Sequence, residues 1–170
     1  TYDSSGTYSY IGSSIINNYS MGFDGTDDYI DINQFFYGSN NQFTYMAHIN
    51  PSGYQMGQAG IVSHGAYYND VVLEMDGNTL RGQIYEGFGG GYIVVEYNNI
   101  SINNNDWTHV ALTYTGTDLI LWVNGVLVSS TSSNYNINWD ATPFYGCNIG
   151  SRQQSTFFNG FIDDVQIHDI

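Results

Sequence analysis

The sequence predicts an all-β fold, an antiparallel two-sheet β-sandwich, and three observations carry that prediction. No stretch of about ten residues places apolar side chains at i, i+3, i+4 and i+7 without an interrupting Gly or Asn, so helical periodicity is absent. Short runs rich in Val, Ile, Tyr, Phe and Thr recur instead, broken by Gly and Asn at intervals of roughly ten residues. Only 2 prolines fall among the 170 residues, as a chain built of paired strands requires.

Taken in order, the runs predict strands over Tyr19–Asp24, Tyr29–Asn33, Phe43–Asn50, Gly60–His64, Val71–Asp76 and Thr79–Glu86. They continue over Tyr92–Tyr97, Thr108–Thr115, Leu119–Asn124, Val126–Ser130, Asn148–Ser151 and Gly160–His168. Each is a β-branched or aromatic run bounded by turn-forming residues. Ser129–Asn138 is the one long polar loop, and no fixed-period repeat points to a propeller or solenoid. At 170 residues and 19.0 kDa, a single domain spanning 1–170 is expected, long enough to bury a sizeable core.

One hairpin resolves to the residue. With Gly77-Asn78 as a two-residue turn, Asp76 faces Thr79, Glu74 faces Arg81 and Val72 faces Gln83. Side chains alternate across a strand, so Val71, Leu73, Met75, Leu80 and Ile84 share a dry face. The other face carries Val72, Glu74, Asp76, Thr79, Arg81, Gln83 and Tyr85, and is expected to be open to solvent with Arg81 beside Glu74. A shift of one residue would mix the two sets, which fixes the register.

Charge excludes whole classes of partner. The 16 Asp and Glu against 2 Lys and Arg leave a net charge of −14, and Arg81 and Arg152 are the only basic side chains beyond histidine. Nucleic acid would be repelled, since its binders neutralise phosphates with Lys and Arg. Anionic membranes are disfavoured in the same way, and no apolar run approaches the ~20 residues of a spanning helix, so no membrane insertion is expected. Cys147 is alone and reads as a small buried hydrophobe. The chain opens on Thr1 without a signal-peptide pattern, which reads as a processed or excised piece. Abundant Asn, Ser, Thr, Gly and Tyr, with sequons at Asn18 and Asn99, point to an extracellular or particle-surface setting.

An ordered set of segments adds a resemblance. Asp3-Ser4-Ser5-Gly6 is followed by Phe23-Asp24-Gly25-Thr26-Asp27-Asp28-Tyr29-Ile30-Asp31-Ile32, then by Asp106-Trp107-Thr108-His109-Val110-Ala111-Leu112-Thr113-Tyr114. Leu121-Trp122-Val123-Asn124-Gly125 and Gly160-Phe161-Ile162-Asp163-Asp164-Val165-Gln166-Ile167-His168-Asp169 complete it. In this order the segments resemble the laminin-G-like, concanavalin A-like jelly-roll domains, from about residue 3 to 169. The strand that usually precedes the first motif is missing, which implies either a piece that begins inside the fold or a strand borrowed from a neighbouring chain or an upstream segment. Gln166 and His168 stand where the family pattern has Arg and Tyr. The resemblance implies glycan or protein recognition more often than catalysis, frequently with structural calcium. Its ion would join the first and last strands through Asp163, with Asp24 as partner.

Catalytic relatives are tested by their residues. Laminarinase-like enzymes carry E-x-D-x-E or E-x-D-x-x-E, because retaining hydrolysis needs two carboxyls ~5–5.5 Å apart. Here Glu74 and Asp76 are present, but Asn78 and Thr79 supply no proton donor, so no enzyme is expected. Gln166-Ile167-His168 is similar to an alginate-lyase motif, yet the partner motifs have no counterpart in a lysine-free chain. His48, His64 and His109 fall singly on strands without metal-ligand spacing and read as ordinary strand histidines.

Recognition is the remaining chemistry. Sugars stack on aromatic rings and hydrogen-bond to carboxylates, amides and guanidinium groups, so Glu74, Asp76, Arg81, Gln83 and Tyr85 on the polar face are candidate ligand contacts. Phe88 and Tyr92 in the Gly-rich segment 87–92, and Trp139 in a second loop, join them. The expected function is a non-catalytic extracellular module that binds a glycan or glycosylated surface, with calcium as a structural cofactor. The alternative is a structural or assembly component of a virion or surface fibre.

Overall fold

A computed structural model describes residues 20–32, 41–66, 69–85, 90–101, 105–137 and 146–169. Asp3–Gly6, Phe88 and Trp139 from the sequence reading lie outside the described residues. Two six-stranded antiparallel sheets form the fold. The first takes β1 (Met21–Asp24), β14 (Asn159–Asp169), β3 (Phe43–Pro51), β8 (Thr108–Tyr114), β9 (Asp118–Val123) and β10 (Val126–Ser132), in that spatial order. The second takes β2 (Ile30–Asp31), β11 (Cys147–Ile149), β4 (Gln55–Ala66), β5 (Asn69–Gly77), β6 (Thr79–Tyr85) and β7 (Tyr92–Tyr97). A small hairpin, β12 (Ser151–Arg152) with β13 (Thr156–Phe157), forms a third, two-stranded sheet of its own.

The alternation read from the sequence builds the core. Tyr45, Ala47, Ile49, Val110, Leu112, Leu119 and Leu121 face inward from the first sheet. Leu73, Met75, Leu80, Ile84, Val95 and Cys147 meet them from the second, and all are buried. At roughly 25 cal/mol per Å² of apolar surface removed from water, this seam is the main source of stability. Cys147 is buried as expected, and burial, with Asp31 nearby, pushes its thiol up to about 12, so it is inert near neutral pH.

Every expected strand has a counterpart, and two features differ. β4 begins at Gln55 rather than Gly60, because the polar stretch 55–58 pairs through irregular register that no alternation marks. Gln55 itself is buried, its amide nitrogen donating to the carbonyls of Gly53 and Asn159 at 2.8 Å, its oxygen accepting from Asn159 N at 2.8 Å. The hairpin β12–β13 was not anticipated. It lies on β4, where Thr156 Oγ1 donates to the Gln58 carbonyl and Gly60 faces the Ser151 backbone so closely that a Cβ there would sit 2.3 Å from Ser151 C.

Candidate functional site

The hairpin of β5 and β6 has the register its sequence dictates: Asp76 opposite Thr79, Glu74 opposite Arg81, Val72 opposite Gln83. Gly77 takes φ +64 at the first turn position, where a two-residue hairpin of type II′ demands glycine. β7 then pairs with β6, placing Glu96 opposite Arg81, Val94 opposite Gln83 and Tyr92 opposite Tyr85. Glu74, Arg81 and Glu96 therefore form one row across three strands.

The expected open face is only half open. Glu74 is 0% exposed and Gln83 1%, and Val72 is likewise buried, so these three are not solvent-facing contacts. The cause is the hairpin β12–β13, which brings Arg152 down onto the sheet. Arg152 Nη1 donates to Glu74 Oε2 at 3.0 Å and also to Gln58 Oε1. With its amide oxygen turned towards the guanidinium, Gln83 accepts from Arg152 Nη2 at 2.6 Å. Arg81 Nη1 lies 3.8 Å from Glu74 Oε1, a looser pair than the one expected between facing residues, and its Nε lies 3.4 Å from Glu96 Oε1. Both arginines of the chain thus converge on one buried carboxylate.

What remains accessible is the β6–β7 side. Tyr85 and Tyr92 stand ring to ring, centroids 4.7 Å apart and planes tilted by 31°, and Tyr92 is 58% exposed. Two rungs along the same face, the partly exposed Arg81 is held between Glu74 and Glu96, its orientation fixed by charges on two sides. Asp76 is exposed at the turn end of β5, and Asn78 sits in the turn itself. The surface offers an aromatic platform and, about 13 Å along the same strands, a guanidinium donor with a carboxylate acceptor. That spacing suits a polyhydroxylated chain of more than one ring, with an apolar face on one of them.

The two expected calcium ligands are not brought together. Asp24 is paired with Asn159, whereas Asp163 lies further along β14, opposite His48. Asp24 instead clusters with Asp27 and Asp28, their carboxylate oxygens within 4.8 Å of one another on an exposed turn. Asp24 Oδ1 accepts from Thr26 N at 2.7 Å and Asp28 Oδ2 from Asp24 N at 3.1 Å, so the turn is already ordered by its own carboxylates. The three remaining groups are oxygen donors of the kind calcium takes, though fewer than the six to eight it needs without water.

The histidines correct the sequence reading in a different way. His48 and His109 are not isolated: they are cross-strand partners on β3 and β8, with ring centroids 5.0 Å apart. Their strands are far apart in sequence, so only the sheet order reveals the pair. Burial first, and the neighbouring His48 second, hold the His109 ring below its ordinary pKa. His64 is separate and buried on β4, and burial alone lowers it to about 4.

A family model described as the concanavalin A-like lectin/glucanases superfamily matches residues 24–170. The chain belongs to that superfamily. A search of curated proteins finds no match to this superfamily member. Among solved structures, the carbohydrate-binding module of the Ruminococcus gnavus IT-sialidase bound to α2,3-sialyllactose is similar at a TM-score of 0.70 and 14% identity, covering 88% of each chain. Mouse laminin α1 domains LG4-5 are similar at TM-score 0.63 and 15% identity, over 87% of this chain and 40% of that one. Domain 4 of the Geobacillus stearothermophilus extracellular arabinanase AbnA, in complex with arabinotriose, gives 0.61 and 18%, over 75% and 60%. The lectin/glucanase-like chain therefore spans less than half of the laminin fragment. At these identities the likeness shows the shared sandwich.

Proposed function

We propose that this domain is a non-catalytic glycan-recognition module acting outside the cell, with the Tyr85–Tyr92 edge of the second sheet as its binding surface. The observation that carries the reading is the tyrosine pair, exposed at Tyr92, on the same face and two rungs from an arginine locked between two carboxylates. One sugar ring of an oligosaccharide stacks its C–H face on Tyr92 while a further unit, about 13 Å along the strands, meets Arg81 and Glu96 through its hydroxyls. Similar modules in the sialidase and the arabinanase are described with sialyllactose and arabinotriose bound, which supports a saccharide ligand. The buried, ion-paired Glu74 is unsuited to act as a nucleophile, and Asn78 cannot donate a proton. Calcium, in this reading, sits at Asp24, Asp27 and Asp28 and relieves the repulsion among their three carboxylates.

A glycan array of the purified domain, in calcium and again with chelator, tests this. Binding to a defined sugar class is expected, and Tyr92→Ala should weaken it about tenfold, near 1.4 kcal/mol, with unchanged circular dichroism. Loss of binding with chelator assigns calcium a part in it, and persistence removes that part. Silence from folded protein in both conditions overturns the proposal.

A further inference from the structure

The outward face of the first sheet carries a second cluster that the glycan reading does not use. His48 on β3 and His109 on β8 face each other across the ladder. Their ring centroids are 5.0 Å apart with planes inclined at 60°. His48 is 42% exposed, yet its Nδ1 is shut off from solvent, 3.6 Å from Asp164 Oδ2. Nε2 is thus the ring nitrogen not directed at Asp164. Asp164 reaches this position from a bulge in β14, where the register with β3 shifts between Asp163 and Gln166. Asp164 adopts φ +48 there, with its amide donating to Asp163 Oδ1 at 2.9 Å. A bulge of this kind re-aims a side chain that a regular strand would point elsewhere.

We propose that His48 and His109 form a binding site for a divalent transition-metal ion of the zinc or copper class, with Asp164 orienting His48. The separation of the rings is the one such coordination needs. A metal–nitrogen bond of about 2.0–2.1 Å places the ion roughly 3.2 Å from each ring centre, so tetrahedral ligation sets the centroids about 5.2 Å apart. The observed 5.0 Å matches that separation, so the strands already stand at the required spacing and rotation of the rings brings one nitrogen of each to the ion. Ligating histidines characteristically give their second ring nitrogen to a carboxylate, the place Asp164 occupies beside His48 Nδ1. Imidazole nitrogen selects zinc, copper and nickel over calcium and magnesium, which take oxygen. Water completes the coordination on the solvent side.

The test uses the full chain, without a polyhistidine tag and stripped by chelator, titrated with Zn²⁺ in excess Ca²⁺ by calorimetry. One ion per chain is expected. His48→Gln and His109→Gln should each lower the affinity at least about tenfold, and Asp164→Asn should weaken it about tenfold without abolishing it. His168→Gln should leave it unchanged. Cu²⁺ should quench the fluorescence of Trp122, which stands opposite Ala111, two positions along β8 from His109 on the same outward face, and both histidine variants should remove that quenching. Zinc binding that calcium competes away, or that survives both histidine substitutions in protein of native circular dichroism, overturns the proposal.

Discussion

Replacing Arg152 by Met tests the arrangement of charge beneath the sheet most directly. Glu74 has no exposure, and its nearest cation is Arg152 at 3.0 Å, with Arg81 at 3.8 Å as the second. Removing one partner of a buried pair costs about 3–5 kcal/mol, because the remaining charge is left in a medium that solvates it poorly. Arg81 compensates part of that, so Arg152→Met should cost about 3 kcal/mol. For a chain of this size that is a fall of roughly 6–12 °C in Tm. Adding Glu74→Gln should restore at least half of the loss, since the orphaned carboxylate is then gone, although the amides of Gln58 and Gln83 still lack their donor. Urea unfolding followed by circular dichroism gives both numbers and their coupling. A single variant within about 0.5 kcal/mol of the parent, or a double variant no more stable than the single, would refute the view that Glu74 is a buried charge held by Arg152.

Two further outcomes follow from the packing around it. Gly60→Ala places a Cβ 2.3 Å from the carbonyl carbon and oxygen of Ser151 and 2.6 Å from Arg152 N, so the hairpin β12–β13 must lift. The expected cost is about 1–3 kcal/mol, with faster tryptic cleavage after Arg152; unchanged cleavage would mean the close approach is not maintained. His64 is lowered by burial from 6.5 to about 4, so the folded state keeps it neutral where the unfolded chain protonates it. Its contribution is complete above pH 6.5 and is lost as pH falls towards 4, up to roughly 3 kcal/mol in all. His64→Gln should flatten the slope of stability against pH within that window, and an unaltered slope would count against burial as the cause.

The extent of the fold that is legible in the sequence follows the range of the interactions involved. The β5–β6 hairpin was readable because its information is local: a two-residue Gly-Asn turn and period-two alternation fix Glu74 opposite Arg81 without reference to the rest of the chain. Alternation also sorted Leu73, Met75 and Leu80 into the core. It could not show that the polar face was covered, since the covering group, Arg152, lies in a stretch with no strand pattern of its own. Glu74 and Gln83 were therefore misplaced as solvent-facing. The His48–His109 pair was hidden for a related reason, because adjacency of β3 and β8 is a property of sheet order. Of the polar-face contacts anticipated, Arg81, Tyr85 and Asp76 retain exposure, as does Tyr92 from the Gly-rich segment, and Glu96 was missed although it follows from pairing β7 against β6.

The bond from Arg152 to Glu74 spans 78 positions of chain. The strands β4 to β7 form by successive hairpins and need close only short loops, whereas that bond must wait for β11 and β14 to bring the intervening segment back across the molecule. On a chain emerging from its N-terminus, the tyrosine pair is synthesised and can be paired early, while Arg152 is still to come. Until it arrives, Glu74 keeps Arg81 as a neighbouring cation, and that part of the sheet is open to water. The polar face is consequently completed in two stages, the edge of Tyr85, Tyr92, Arg81 and Glu96 first and the Arg152 cover over Glu74 and Gln83 afterwards. Burial of Glu74 then becomes a measure of whether folding has been completed, legible in a refolding experiment as resistance to tryptic cleavage after Arg152 that lags behind the recovery of β-sheet signal.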